Sequence, residues 1–130
     1  MPTLTTIAAT TSILLGMVNQ VRDGDTFVVE TTPIRLTGIA APELSEPGGL
    51  EAKQFMINLV GGRVVKCELT GERSYDRMIG RCYLDGMDVG QAIVAAGKAR
   101  DCPRFSLGQY AAFETPASWL LPLPNYCEPR

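Results

Sequence analysis

Apolar and polar positions alternate along the first forty residues and then change period. Ile13, Leu15 and Met17 stand two apart and predict a first strand over Ile13 to Val21. Asp23-Gly24-Asp25 reads as a turn, and the β-branched and aromatic run Thr26 to Glu30 as a second strand. Thr31-Thr32-Pro33 is expected to turn the chain into a third strand, Ile34 to Ile39. Ile34 and Leu36 lie on one face of that strand, Arg35 and Thr37 on the other. After Pro47-Gly48-Gly49 the period becomes helical. Ala52, Phe55, Met56 and Leu59 share one face, and Gly61-Gly62 ends the helix. Alternation returns in Arg63 to Leu69, with Val65, Cys67 and Leu69 on one face. Thr70 to Arg77 reads as a polar loop, and Met78 to Leu84 as the return strand, closed by the turn Asp85-Gly86.

Asp88 with Gln91 three residues on predicts the cap of a second helix, which carries Val89, Ala92, Ile93 and Ala96 and stops at Gly97. Ser106 and Gln109 offer a further capping pair. A third helix with Tyr110 and Phe113 is expected to follow, broken or kinked at Pro116. Leu121 to Arg130 contains three prolines and is expected to lie extended on the surface. The order β-β-β-α-β-β-α-α, with one helix between the third and fourth strands, is that of an α+β, five-stranded Greek-key barrel of OB type with three α-helices. The chain divides into residues 1–15, a leader or extension; 16–120, the folded domain; and 121–130, the tail. No basic stretch precedes the mildly apolar start, since the first basic residue is Arg22. A secretory signal is therefore not evident, and the segment is too short and polar to span a membrane.

Composition narrows the chemistry. The chain has 130 residues, 45% hydrophobic and 20% charged, which is the usage of one globular domain. It has no histidine, which excludes Ser-His-Asp and Cys-His catalysis and imidazole metal sites. Acid–base work falls to carboxylates, Tyr, Lys, Arg or Cys. The net charge of −2 means that any phosphate is gripped by a few placed arginines, not by a basic coat. Cys67, Cys82, Cys102 and Cys127 show no C-x-x-C spacing, so a four-thiolate zinc site is not expected. They permit two disulfides and an oxidising compartment, periplasmic or secreted; four buried thiols are the alternative. Cys67 and Cys82 lie symmetrically about Ser74–Tyr75 and should face each other across a hairpin. Cys102 and Cys127 would then pair and pin the tail.

Three polar clusters interrupt this pattern. They are Asp23-Gly24-Asp25-Thr26; Ile34-Arg35-Leu36 running into Gly38-Ile39-Ala40-Ala41-Pro42-Glu43; and Tyr75-Asp76-Arg77, with Asp85-Gly86 eight residues after Arg77. Singly, they read as a turn, a solvated strand and a loop. In this order and spacing they resemble the staphylococcal nuclease-like (thermonuclease) family from about Val18 to Glu114.

The resemblance implies an OB-fold nuclease that cleaves DNA and RNA phosphodiester bonds with calcium. It implies that Asp25 gives the metal a carboxylate, that Ala41 gives it a backbone carbonyl, and that Glu43 is the general base. Arg35 and Arg77 would grip the phosphate as catalytic and binding residues, and Tyr75 would lie against the nucleotide. Arg77, not Arg81, is the match. Asp76 stands where the family has glycine. Ala40 stands where the family has an aspartate, a second metal ligand. Calcium requires six to eight oxygens, so it is expected to be held weakly or not at all; Asp23, Glu46 and Glu51 are the carboxylates near enough in sequence to compensate. Ala40→Asp is expected to tighten calcium binding. Two functions remain open. One is a nuclease-like phosphodiesterase. The other is a catalytically impaired module binding a nucleotide, nucleic acid or another anionic polymer such as an exopolysaccharide. A monomer, without membrane attachment, is expected in either case.

Overall fold

The structure, a computed structural model, describes residues 12–129. Residues 1–11 of the expected leader lie outside them. Strand β1 (Ser12–Asp23) is the longest and changes partner along its length. Its first half, Ser12 to Met17, pairs with β5 (Val64–Ser74). Its second half pairs from Val18 with β2 (Thr26–Val29), with irregularities between Val18 and Gln20 and between Val21 and Asp23. Such irregularities are how a short sheet curls on itself. β2 is hairpinned to β3 (Thr32–Leu36), and β5 to β6 (Arg77–Leu84). β3 then runs parallel to β6, so the order β1-β2-β3-β6-β5 returns to β1 and leaves none of these strands as a free edge. This is the expected mixed α+β, OB-like architecture.

Alternation places Phe27, Val29, Ile34 and Leu36 inside, all at most 1% exposed, and turns Arg35 outward. Helix α1 (Gly49–Val60) buries Ala52, Met56 and Val60 against this core, with Phe55 and Leu59 half-buried beside them. Full burial of Met56 and of Val60 contributes about 1.5–3 kcal/mol each. Short strands β4 (Ile39–Ala40) and β8 (Arg100–Asp101) pair with each other, and β7 (Met87–Asp88) turns back to pair antiparallel with the end of β6. Helix α2 (Val89–Ala95) begins as expected, with the Asp88 carboxylate accepting from the Gln91 N–H at 3.2 Å. Among the described residues no helix is long and apolar enough to cross a membrane.

Four local expectations change. The turn after β2 is Glu30-Thr31, and Pro33 belongs to β3. Pairing with β6 begins only at Ile34, so no partner needs the N–H that Pro33 lacks. The polar loop is a ribbon: β5 and β6 run on to Ser74 and Arg77, leaving only Tyr75-Asp76 as the turn. That ribbon projects beyond the core with neither face buried, so no apolar alternation marks it.

The third helix is divided. Helix α3 (Pro103–Ser106) lasts one turn, because Leu107 and Gly108 adopt φ of 56° and 83°. A 3₁₀ turn follows at Ala111–Phe113, and α4 (Pro116–Trp119) starts at the proline expected to break a helix. Proline is favourable at that first position, and Thr115 and Ser118 cap the turn reciprocally. Tyr110 is 1% exposed; its N–H donates to Asp101 at 3.1 Å and its hydroxyl to Asp88 at 2.7 Å, and these tertiary bonds override local helix propensity.

Fourth, the tail does not merely lie on the surface. Cys127 is fully buried and bonded to Cys102, and Leu123 packs beside them. Cys67 and Cys82, directly opposed on β5 and β6, form the other disulfide.

Candidate functional site

The outward face of β3, the loop from Ala41 to Gly48, the β5–β6 turn and the tail enclose a cleft of about 510 Å³. Asp25, Arg35, Glu43, Tyr75 and Arg77 all line it, so five of the six residues expected at the site share one cleft. The sixth, Ala41, sits behind it, its N–H donating to Asp25 Oδ2 at 3.0 Å.

Arg35 comes from the middle of β3, where alternation forces it out of the barrel. Its side chain is nonetheless only 12% exposed, because the cleft walls rise around it. Nη1 donates to the Leu36 carbonyl; Nη2 donates to Tyr126 Oη at 3.2 Å and lies 3.4 Å from Asp25 Oδ2. Arg77 opens β6, the strand parallel to β3, so the same pairing that closes the barrel brings the two arginines to one cleft. Neutral acceptors hold it: the Ser74 carbonyl at 3.2 Å, Ser74 Oγ at 2.9 Å and Thr26 Oγ1 at 3.3 Å. Two guanidiniums so placed can give planar, paired N–H donors to a phosphate.

Tyr75 stands at the ribbon tip with φ of 59° and 94% exposure, its ring centroid 5.7 Å from the Arg77 guanidinium carbon. Arg81 is turned elsewhere, its Nε donating to Tyr110 Oη at 3.1 Å. Asp76, at the expected glycine, pairs with Arg22 through two contacts of 2.9 and 3.1 Å and ties the tip to β1.

Glu43 is exposed on the loop that rims the cleft. Its backbone is fixed from both sides: its N–H donates to Glu46 Oε1 at 2.7 Å, and its carbonyl accepts from Glu46 N–H at 2.9 Å. Glu46 therefore braces the loop and does not line the cleft, and Glu51 lies on α1 away from it.

The acidic side of the cleft is a pair. Asp23 Oδ1 accepts from the Asp25 N–H at 3.1 Å. Burial, and then the charge of Asp25 and a side-chain hydrogen bond with it, push the Asp23 carboxyl up to about 7, while the Asp25 N–H and Arg35 oppose the rise. Asp25 is 6% exposed and already well occupied: Oδ2 takes the Ala41 N–H and faces Arg35, and Oδ1 accepts from Thr26 Oγ1 at 3.3 Å.

This donor set does not fit calcium's need for six to eight oxygens. Among the described residues, no three of His, Cys, Asp or Glu come together in a way that could hold a metal ion. Ala40 also faces the wrong way to help. Its side chain is 1% exposed, in a cluster with Cys102, Cys127 and Leu123. An aspartate at this position would have to share that space with the tail disulfide.

Sequence reasoning missed Tyr126 and Ser74. Tyr126 reaches the site over 91 residues from Arg35 and carries no local signal except the cysteine beside it.

A family model described as staphylococcal nuclease homologue matches residues 33–114. An uncharacterized endonuclease of Escherichia coli O157:H7 is 39% identical over 89 residues, 65% of this chain and 58% of that protein. A probable staphylococcal-like nuclease of Oryza sativa subsp. japonica is 36% identical over 76 residues, 58% of this chain and 23% of that protein. A succinoglycan biosynthesis protein of Rhizobium meliloti (strain 1021) is 31% identical over 107 residues, 73% of this chain and 56% of that protein. The chain thus spans less than two thirds of the length of each of these relatives.

Proposed function

Because the chain belongs to the staphylococcal nuclease homologue family, we propose that it binds a nucleic acid phosphodiester in the cleft and hydrolyses it slowly. The observation that carries this reading is the convergence of Arg35 and Arg77 from two parallel strands onto one cleft rimmed by Glu43. The pentacoordinate transition state places more negative charge on the equatorial oxygens than the ground state does. Two guanidiniums held by neutral acceptors and one carboxylate are ready to meet that charge. Glu43, exposed and on a braced loop, is the group that takes the proton from the attacking water. Tyr75 offers its exposed ring to a base. Calcium, if taken up at all, would be held weakly, and no step is assigned to it.

The second reading is a binding module without turnover. The engagement of Asp25 by Ala41, Thr26 and Arg35, together with the turned-away Ala40, favours it. Its ligand would be nucleic acid, a nucleotide or an anionic polysaccharide; the printed name of the Rhizobium relative is what brings the last into view. The two disulfides support a periplasmic or secreted protein, and we take it to act as a monomer.

Plasmid nicking, followed with calcium and with a chelator, separates the readings. Cleavage abolished by Glu43→Ala supports the hydrolase. Oligonucleotide binding without cleavage supports the module. Arg35→Ala and Arg77→Ala should each weaken that binding by about 1.5–3 kcal/mol, the range for a lost charge-assisted hydrogen bond. If both variants bind by calorimetry as the parent does, the cleft is not the site.

A further inference from the structure

The cleft has a wall that the family model does not cover. The match ends at residue 114, whereas Tyr126 comes from the tail and lines the same cleft as Tyr75. Three features hold it there. Cys127, the next residue, is fully buried and bonded to Cys102. Cys102 is fixed in turn by its N–H, which donates to the Gly38 carbonyl at 2.9 Å, on the turn that leaves Arg35's own strand. Between them Asn125–Cys127 forms a 3₁₀ turn, and Pro124 restricts the backbone ahead of it. Tyr126 is thus tied through Cys127 and Cys102 to the turn that follows β3.

The hydroxyl of Tyr126 accepts from Arg35 Nη2 at 3.2 Å. A phenol that accepts one hydrogen bond still has its own O–H to donate. Among the described residues no acceptor takes that proton, and the residue, which lines the cleft, is 47% exposed. The free donor therefore lies beside the guanidinium proposed to grip the phosphate, and an anionic oxygen is the acceptor that such a pair fits.

We propose that Tyr126 is a substrate-binding residue whose hydroxyl donates to the same phosphate group that Arg35 grips, delivered to the cleft by the Cys102–Cys127 disulfide. The inference rests on the cleft being a phosphodiester site, and it adds a donor from outside the matched region.

Calorimetric titration of the whole chain with a thymidine hexanucleotide tests it, at low and at raised salt. Tyr126→Phe keeps the ring and removes only the O–H, so the variant should fold and bind at least about tenfold more weakly, as for a hydrogen bond to a charged group. Because the phenol is uncharged, that ratio should be the same at both salt concentrations. Arg35→Ala should instead flatten the salt dependence. Cys127→Ser with Cys102→Ser, which releases the tail, should bind as weakly as Tyr126→Ala, and the combined variant should lose nothing more.

If Tyr126→Phe binds as the parent while Arg35→Ala binds weakly, this inference falls and the cleft stands. Tighter binding by Tyr126→Ala would make the tail an obstacle and would also overturn it. A parent that binds no oligonucleotide takes down the functional reading and this inference together.

Discussion

Arg35 and Ala40, five residues apart, met opposite fates for reasons of direction alone. Arg35 points from β3 into the cleft, whereas Ala40 points from β4 into the disulfide cluster. Ala40→Asp therefore buries a carboxylate without a partner and should lower stability on the order of 3 kcal/mol, the scale for an uncompensated buried charge. Urea denaturation checks it; unchanged stability with tighter calcium binding would mean that the new side chain reaches the cleft after all. Asp23 carries a different signature. Its carboxyl sits at about 7 in the fold, against an ordinary 3.8. The folded chain holds that proton more tightly than the unfolded chain. The associated stability is fully present below the ordinary value and is lost as pH rises through about 7. Asp23→Asn should flatten melting temperature against pH across that window while still accepting the Asp25 N–H. Equal slopes in parent and variant would place the titration elsewhere. Arg35, Glu43, Tyr75 and Arg77 were legible as sequence because each sits in a short motif whose spacing is kept. Tyr126 was not, because only the Cys102–Cys127 bond brings it near.

Among the elements, α1 does more than cover the barrel. A Cβ on Gly49, its first residue, would come within 2.0 Å of the Glu43 carbonyl oxygen. The glycine that reads in sequence as a helix opener is thus required by the loop crossing it. Gly49→Ala must push that loop away from the helix, and Glu43 with it. It should reduce cleavage, or the response of cleavage to Glu43→Ala, far more than it reduces oligonucleotide affinity, since both arginines lie on strands. Rates and binding constants of the single and double variants decide this, and an equal loss in both would mean general destabilisation. The β5–β6 ribbon shows the opposite case. Its polar, two-sided exposure hid it as a loop, yet it pairs past an irregularity between Leu69 and Arg73 to Ser74 and Arg77, and so starts β6, the strand beside Arg35's own, at Arg77.

At the scale of the whole molecule, a chain of net charge −2 carries no excess of basic charge with which to hold a polyanion. Binding must be local, so log K against log salt should have a slope between about −0.7 and −1.4 for one or two phosphates of a single strand. Fluorescence titration across salt concentrations measures it, and a slope several times steeper would show that the strand runs over a wide surface beyond the cleft. The sequence by itself determined the order of the main elements. Side-chain alternation and helical period are local properties, readable wherever one face is buried. It determined the facing of Cys67 and Cys82, which follows from symmetry about a turn, and it singled out motif residues of which five line one cleft. Only the tertiary structure decided where the third helix gives way to one-turn pieces, because the buried hydrogen bonds of Tyr110 outweigh propensity there. It alone decided that Ala40 faces a disulfide, that Asp25 is already satisfied, and that the tail returns to Arg35. Those are contacts between residues far apart in the chain, and no local pattern encodes which of them meet.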